Sequence, residues 1–582
     1  MRETDNVNLP DSMLVWPLYG AGLENLGVNG QPVRWPVPRP APDQLLVRSN
    51  AVGLCYSDVK LIRLGSQHPR LYGRDLRRDP IVQGHEVSLT VVDVGEELRG
   101  RFRPGQRLAM QADVYYHGRN LSYGYMFYGG LAQYGLLGRE ILAGDEGCYA
   151  IPVPDELGYA EVALTEPWAC VEAAYAPRRR LHVKPGGTMW IVGGQGDGTA
   201  YHVGEMFAGG WPGRIVLTDV LAGLRADLTA GPSSAAPRPA IVIRDGLAPG
   251  DYALLAQAEA GGGFDDMILL DPDAARLEAL APLAAYAGTI NLAGTRPLGR
   301  AVALDVGRAH YDYVTYLGAR SLDLGMAYGE ARNRADVRAG GVAWLVGAGG
   351  PMGRMHLQRL LEAPEGPRRI VVAETNAGRR AELELGFRAP ATAKGVDLVI
   401  TNPRELSAAE FDDALRALHG GRGFDDIIVL VANVAAIEAA MPHLAADGLL
   451  VLFAGLARGT IAQLDISNVY LGNAQITGSA GSRIVDQAAV IARVAAGHLS
   501  TARAVSAIGG LSAAHAGIEA LMEGRFPGKI VIFPPVADFP LTPLADLKTV
   551  APAVYEKLGP GETWTRAAEA EFLRLCGRGD CA

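Results

Sequence analysis

One block of this 582-residue chain is written twice. "VEAAYAPRRRLHVKPGGTMWIVGG" from Val171 returns as "LGMAYGEARNRADVRAGGVAWLVGA" from Leu324, with Gly187 on Gly341. "GRIVLTDVLAGLR" returns as "RRIVVAETNAGRR", placing Asp219 on Glu374. "GFDDMILL" at Gly263 returns as "GFDDIIVL" at Gly423, and Asp305 falls on Asp465. Four blocks in the same order, with spacing that drifts by only a few residues, are the mark of a duplication. A duplicated block must fold as two copies of one structural unit. Within each copy, short apolar β-rich runs ("TMWIVG", "RIVLTD", "DMILLD", "TINLAG"; "VAWLVG", "RIVVAE", "DIIVLV", "LLVLFAG") alternate with amphipathic stretches. That alternation is the pattern of a doubly wound parallel sheet. The first strand of such a sheet runs through a glycine loop into a helix, and the second ends in an acid suited to ribose hydroxyls.

The flanks have a different texture. Residues 1–170 are rich in Gly, Pro and short β runs ("QLLVRSNAVG", "VSLTVVDVG", "RLAM"), as in an all-β barrel. After the repeats, "VDQAAVIARVAAGHLS" and "SAAHAGIEALMEGRFPGKIVIFP" alternate helix and strand. From about Val536, two amphipathic helices are expected in "TPLADLKTVAPAVYEKL" and "TWTRAAEAEFLRLC". The expected fold class is therefore α/β with an all-β part. The domains expected are an N-terminal β-rich part (1–170), two Rossmann-like copies (171–323 and 324–480), a mixed helix-and-strand segment (481–535) and a helical tail (536–582).

Composition narrows the function classes. Hydrophobic residues make up 49% and charged residues 20%, which supports folded cores rather than a disordered chain. A net charge of −9 over this length gives no support for nucleic-acid or anionic-membrane binding. The apolar runs are too short and interrupted to span a membrane. The N-terminus lacks the apolar core of a signal peptide, and the five cysteines form no CxxC pair, so a reducing, cytoplasmic setting is expected.

Three separated spots in the β-rich region carry metal-ligand chemistry. "GLCYSD" offers Cys55 and Ser57, "QGHEVS" offers His85 and Glu86, and "TEPWAC" offers Glu166. A catalytic zinc takes about three ligands of thiolate, imidazole or carboxylate type and keeps one position open. The ion then polarises a carbonyl or acidifies an alcohol. Ser57, two residues past the thiolate, is placed to pass the alcohol proton outward.

These segments resemble the medium-chain, zinc-dependent alcohol and polyol dehydrogenases. "VGLCYSDVK" is similar to their G-[IL]-C-x-[ST]-D segment, "GHE" to their His–Glu pair and "TEPWAC" to their E-P-x-A-C stretch. "FRPGQRLAM" and "FPGKIVI" resemble two of their strand motifs. "DVYYHGRNLSYGYMFYGGLAQY", "VGAGGPMGRMHLQR", "TGSAGSRIVD" and the tail "FPLTPLADL…WTRAAEAEFL" resemble the L-sorbose-1-phosphate reductase-like branch, to which this chain adds one extra dinucleotide-binding unit. The resemblance implies a GroES-like catalytic barrel plus two tandem Rossmann-type parallel sheets. It implies Cys55, His85 and Glu166 as zinc ligands, Glu86 as an outer or alternate ligand, and Ser57 as proton relay. Lys60 stands where many relatives carry a relay histidine, so it is expected either to move a proton or to reach a substrate phosphate. No Cys lies between Cys55 and Cys148, so one catalytic zinc and no structural zinc is expected. A homo-oligomer, most simply a dimer, follows from the resemblance, although the duplication could replace a subunit contact internally.

The two glycine loops differ. Copy two reads "WLVGAGGPMG", with Gly347, Gly349, Gly350, Pro351, Met352 and Gly353, followed by Glu374 at the ribose position. Gly350 leaves room for pyrophosphate, Gly353 allows close helix packing, and Glu374 favours NAD(H) over NADP(H) by repelling a 2′-phosphate. Copy one reads "WIVGGQGDG", with Asp197 where phosphate would meet the helix and Thr199 on the position of Gly353. Cofactor is therefore expected on copy two, with copy one structural or regulatory. The activity expected is interconversion of a ketone and a secondary alcohol on a polyol, ketose or sugar phosphate. The alternative is a non-catalytic dinucleotide sensor or scaffold derived from a dehydrogenase.

Overall fold

The computed structural model describes residues 9–194, 199–231 and 237–577. Gly196, Asp197 and Gly198 of the first glycine loop lie outside the described residues. The chain divides into two compact units, residues 1–173 with 481–582, and residues 174–480.

The first unit is built on an eight-stranded sheet. Its central strands, Leu45–Gly53, Glu86–Val94 and Lys529–Phe533, are mostly buried, with Val, Ile and Leu supplying much of their length. Lys529–Phe533, from the far end of the sequence, pairs antiparallel with Leu45–Gly53. Helix α1 (Tyr56–Leu64) leaves the first of these strands, and α2 (Thr165–Ala173) packs against the helix Ile484–Ala495. The expected first tail helix is broken into Leu547–Val550 and Pro552–Tyr555. Ala551 sits at φ −146° between them, because the residue before a proline is driven out of the helical region. The second tail helix, Arg566–Gly577, forms as expected.

The second unit holds both repeats. Copy one supplies β1 (Thr188–Val192), β2 (Arg214–Thr218), β3 (Ala240–Ile243), β4 (Phe264–Leu270), β5 (Ala284–Ala293) and β6 (Thr315–Gly318). Copy two supplies β7 (Val342–Val346), β8 (Arg369–Ala373), β9 (Asp397–Thr401), β10 (Phe424–Val429), β11 (Leu444–Leu452) and β12 (Gln475–Gly478). Each half is parallel, and the two expected sheets join into a single twelve-stranded sheet of order 3-2-1-4-5-6-12-11-10-7-8-9. The seam is the antiparallel pair β6–β12, where Tyr316 faces Ile476. A second antiparallel ribbon pairs Val302 with Leu464 and Leu304 with Ala462. Tyr316 meets its own counterpart, and the Val302–Leu464 pair is answered by the reciprocal pair Leu304–Ala462, so the copies are related by a local two-fold axis, as two subunits with a self-complementary interface would be. The seam pairs what would otherwise be an exposed strand edge.

The repeated "GFDD" explains itself here. Asp265 accepts the Thr188 N–H at 2.9 Å in copy one, and Asp425 accepts the Val342 N–H at 2.9 Å in copy two. The next aspartate in each copy is buried and paired with an arginine, Asp266 with Arg180 and Asp426 with Arg334. These acids anchor the chain entering the first strand of each half.

The copies diverge after that strand. In copy two the loop leads into α3 (Pro351–Glu362), with Gly350 as N-cap and Pro351 in the first turn, where its missing N–H costs nothing. In copy one, among the described residues, no helix lies between β1 and β2. The expected strand–loop–helix of copy one is corrected to strand followed by turns over 199–213. Aromatic packing takes the helix's place: Phe207 and Trp211 stack at 4.0 Å, and Tyr201 donates to Asp271 at 2.8 Å.

Buried His356 on α3 shares a 2.6 Å hydrogen bond with the Tyr175 hydroxyl through Nδ1. Burial, with Arg359 nearby, lowers its pKa to about 3. Its stabilising contribution is present above the unfolded value of 6.5 and is lost as pH falls toward 3. Stability of this unit is expected to drop by up to about 1.4 kcal/mol per pH unit over that window. Denaturant titrations at a series of pH values should show a shallower slope in His356→Gln.

Candidate metal and cofactor sites

Cys55 sits in extended conformation as N-cap of α1, and its backbone N–H donates to the carboxylate of Asp58 at 2.9 Å. His85 and Glu86 follow the tight turn at Gly84 (φ +99°), which turns the chain into the strand Glu86–Val94. Ligand atoms of Cys55, His85 and Glu86 all lie within 4.8 Å of one another. Glu166, in the first turn of α2, is buried beside them but outside that group.

Electrostatics show what the cluster lacks. Burial raises the Glu166 pKa to about 7; His85 opposes the rise and Glu86 adds to it. Burial pushes His85 down, but the Asp58 carboxylate and the Cys55 sulfur outweigh it and hold the imidazole well above its usual range. The His85 Nδ1 lies 3.5 Å from Asp58 Oδ1, leaving both atoms without a proper hydrogen bond. Glu86 Oε1 accepts from the Lys529 ammonium, whereas its Oε2 is buried with no partner. An orphaned carboxylate oxygen, a thiol and an imidazole in one spot form a donor set suited to zinc. The residues present fit such an ion.

Sequence reasoning missed two supports of this cluster. Asp58 faces the His85 imidazole at 3.5 Å and raises its pKa, while its other oxygen accepts the Cys55 N–H. Its signal was available in "CYSD", three residues past the thiol. Lys529 lies in "PGKIVI", whose lysine gave no local hint of its buried partner, Glu86. Ser57 lies one turn from the cluster and its carbonyl accepts from Tyr125 at 3.4 Å. The Tyr125 ring lies between His68 (5.2 Å) and His85 (6.3 Å). Lys60 is half-buried on α1 and makes no ion pair among the described residues. Its charge adds to burial and Arg70 in lowering the His68 pKa to about 4.

The cofactor-loop residues lie together in copy two. Gly347 takes φ +85°, and a Cβ there would come within 2.1 Å of Val431. A Cβ on Gly353 would meet the Ala348 backbone at 2.4 Å, whereas Gly350 faces open space. Pro351 and Met352 open α3 half-buried. Glu374, just past the end of β8, accepts the Gly349 N–H at 2.9 Å and the Asn376 N–H at 2.8 Å.

Known proteins share this plan. Residues 41–152 match the alcohol dehydrogenase GroES-like domain. The crystal structure of AibC superposes with a TM-score of 0.50 at 16% identity, covering 92% of this chain and 99% of that one, a likeness of fold. The chain therefore carries an alcohol dehydrogenase GroES-like region together with a Rossmann-like sheet. It is 30% identical over 198 residues to mannitol-1-phosphate 5-dehydrogenase of Aliivibrio fischeri, covering 32% of this chain. It is also 30% identical over 259 residues to L-sorbose 1-phosphate reductase of Klebsiella pneumoniae, covering 44% of this chain. The matched stretches span 45% and 60% of those enzymes' own lengths. No helix among the described residues is long and apolar enough to cross a membrane.

Proposed function

We propose that the chain is a zinc-dependent, NAD(H)-linked oxidoreductase that interconverts a ketone and a secondary alcohol on a sugar or sugar phosphate. The observation that carries this reading is the convergence of Cys55, His85 and Glu86 within 4.8 Å in a GroES-like domain. The sugar-phosphate enzymes among the relatives support the substrate class. Cys55 and His85 would hold the ion, with Glu166 as third ligand and Glu86, whose Oε2 has no partner, as the alternate. Glu86 already has Lys529 as its ion-pair partner, whereas Glu166 has no cationic partner within ion-pair distance among the described residues, and burial raises its pKa to about 7. When bound, the ion supplies Lewis-acid polarisation of the C=O and the nicotinamide supplies hydride. Ser57 passes the alcohol proton outward, and Lys60 either continues that path or meets a substrate phosphate. Glu374 recognises the adenosine ribose of NAD(H). Any homodimer would use a surface other than β6 and β12, whose edges pair with each other within one chain.

Chelation is expected to abolish reduction of a ketose panel and zinc to restore it; turnover that survives complete metal removal would overturn the reading. On the cofactor side, Gly353→Ala forces α3 away from the Ala348 backbone, an overpacking cost of about 1–3 kcal/mol. NADH affinity, read by fluorescence quenching, is expected to fall by about ten- to a hundredfold. Unchanged affinity would move the cofactor off copy two.

A further inference from the structure

Copy one carries a cleft of about 570 Å³ that copy two's cofactor role does not use. Its floor is made by Gly193 and Gly194 after β1, Asp219 after β2, and Asp271 and Asp273 after β4, with Arg276 among them. Leu247, Pro249, Tyr252 and Leu298 give it apolar walls. In the order 3-2-1-4-5-6 the sheet changes direction between β1 and β4, and the cleft opens at the carboxyl ends of those strands. Open α/β sheets bind their ligands at this switch point.

The floor is built differently from its counterpart in copy two. Asp271, Asp273 and Arg276 stand where copy two has Val431, Asn433 and Ala436. Asp219 and Asp271 hold left-handed backbone, φ +53° and +45°, which Glu374 and Val431 do not. Non-glycine residues in that region are uncommon, and aspartate is among the few that tolerate it. Both acids are fixed: Asp219 accepts the Gly246 N–H at 2.8 Å, and Asp271 accepts the Tyr201 hydroxyl at 2.8 Å. The Arg276 guanidinium is tied to the carbonyls of Gly193 and Asp271 and to the Asp273 carboxylate. Its charge is thus spent on the floor itself.

Two features disfavour a phosphate-bearing ligand. Among the described residues no helix N-terminus lies between β1 and β2 to receive pyrophosphate. Three carboxylates line the cleft against two guanidiniums, so its lining is net negative; Arg276 is already bonded to the strand ends, and Arg296 stands at an exposed position. What fixed carboxylates accept well is a pair of hydroxyls, as the acid after the second strand does for a ribose.

We propose that this cleft is a second ligand site, for an uncharged molecule carrying a vicinal diol, with Asp219 and Asp271 accepting its hydroxyls. The diol comes either from the ribose of a nucleoside, whose base would lie against the apolar walls, or from an open-chain polyol. The proposal is independent of the oxidoreductase reading, because its test reads binding rather than turnover.

The experiment is calorimetric titration of the full-length chain with adenosine, with sorbitol and with ADP-ribose. The variant is Asp219→Asn/Asp271→Asn, which removes both charges while keeping shape and tolerance of the left-handed backbone; single Asp219→Asn serves if the double variant unfolds. Adenosine or sorbitol is expected to show a binding event that the variant weakens at least tenfold and Gly353→Ala leaves unchanged. Whichever probe does so identifies the source of the diol. Absence of such an event with both neutral probes overturns the proposal. So does an ADP-ribose event that the same variant abolishes, because it would make the cleft a phosphate-bearing nucleotide site.

Discussion

Cys55→Ser is expected to lose bound zinc and to lower kcat/KM for ketose reduction by on the order of a thousandfold. The figure follows from the several kcal/mol that Lewis-acid polarisation contributes to such a transition state, at about 1.4 kcal/mol per tenfold in rate. The substitution changes one atom. A neutral hydroxyl replaces the soft, readily ionised sulfur that zinc prefers. The fold should hold, because the structural tie at this residue is its backbone N–H, bonded to Asp58. Cys148→Ser provides the control: that thiol contacts the Ala150 carbonyl at 3.2 Å and belongs to no metal cluster among the described residues. Zinc content by atomic emission and steady-state kinetics would be read on the same preparations. A Cys55→Ser protein with wild-type turnover would remove the thiolate, and with it the zinc mechanism, from the proposal.

Lys529→Met should destabilise the first unit by about 3–5 kcal/mol, the usual cost of leaving one member of a buried ion pair unpaired. Glu86 is 0% and Lys529 4% exposed at the side chain, so water cannot replace the lost partner. The Glu86 pair holds the lysine pKa above its ordinary value against the opposing effect of burial. Glu86→Gln/Lys529→Met removes both charges, and its loss should be far smaller than that of the single lysine variant. Urea midpoints at constant slope would measure both differences. Zinc binding adds a second readout. With Lys529 absent, the uncompensated Glu86 is expected to compete with Glu166 for the ion, so metal affinity in the double variant reports on Glu166 alone. Equal stability of the single lysine variant and the wild type would show that the pair is solvated in solution.

Much of this was legible because it is local. Glycine loops, β-rich runs and an acid after the second strand are short patterns, and duplication doubled each signal. The Cys55, His85 and Glu86 segments were recognisable for the same reason: a thiol beside a helix start and a His–Glu pair before a strand each carry their chemistry in a few residues. Glu166 was recognised as well, but which of the two glutamates joins the cluster depends on side-chain placement. The proline break at Ala551 was overlooked although its cause, Pro552, stood in plain view. That turns rather than a helix occupy residues 199–213 could not be read, since they are stabilised by aromatic contacts such as Phe207 on Trp211.

The sequence by itself determined that two like units follow one another, that a β-rich part with metal-binding residues flanks them, and that their glycine loops are unequal. Those are properties of short stretches, set by side-chain periodicity and by the conformations glycine and proline permit. Only the tertiary structure decided that β6 and β12 close the two units into one sheet. It also brought Lys529 to Glu86 across 443 residues and opened a charged cleft in copy one. Each of these depends on contacts between elements far apart in the chain. Such contacts are selected by burial and hydrogen-bond satisfaction in the assembled core, and no local pattern encodes them.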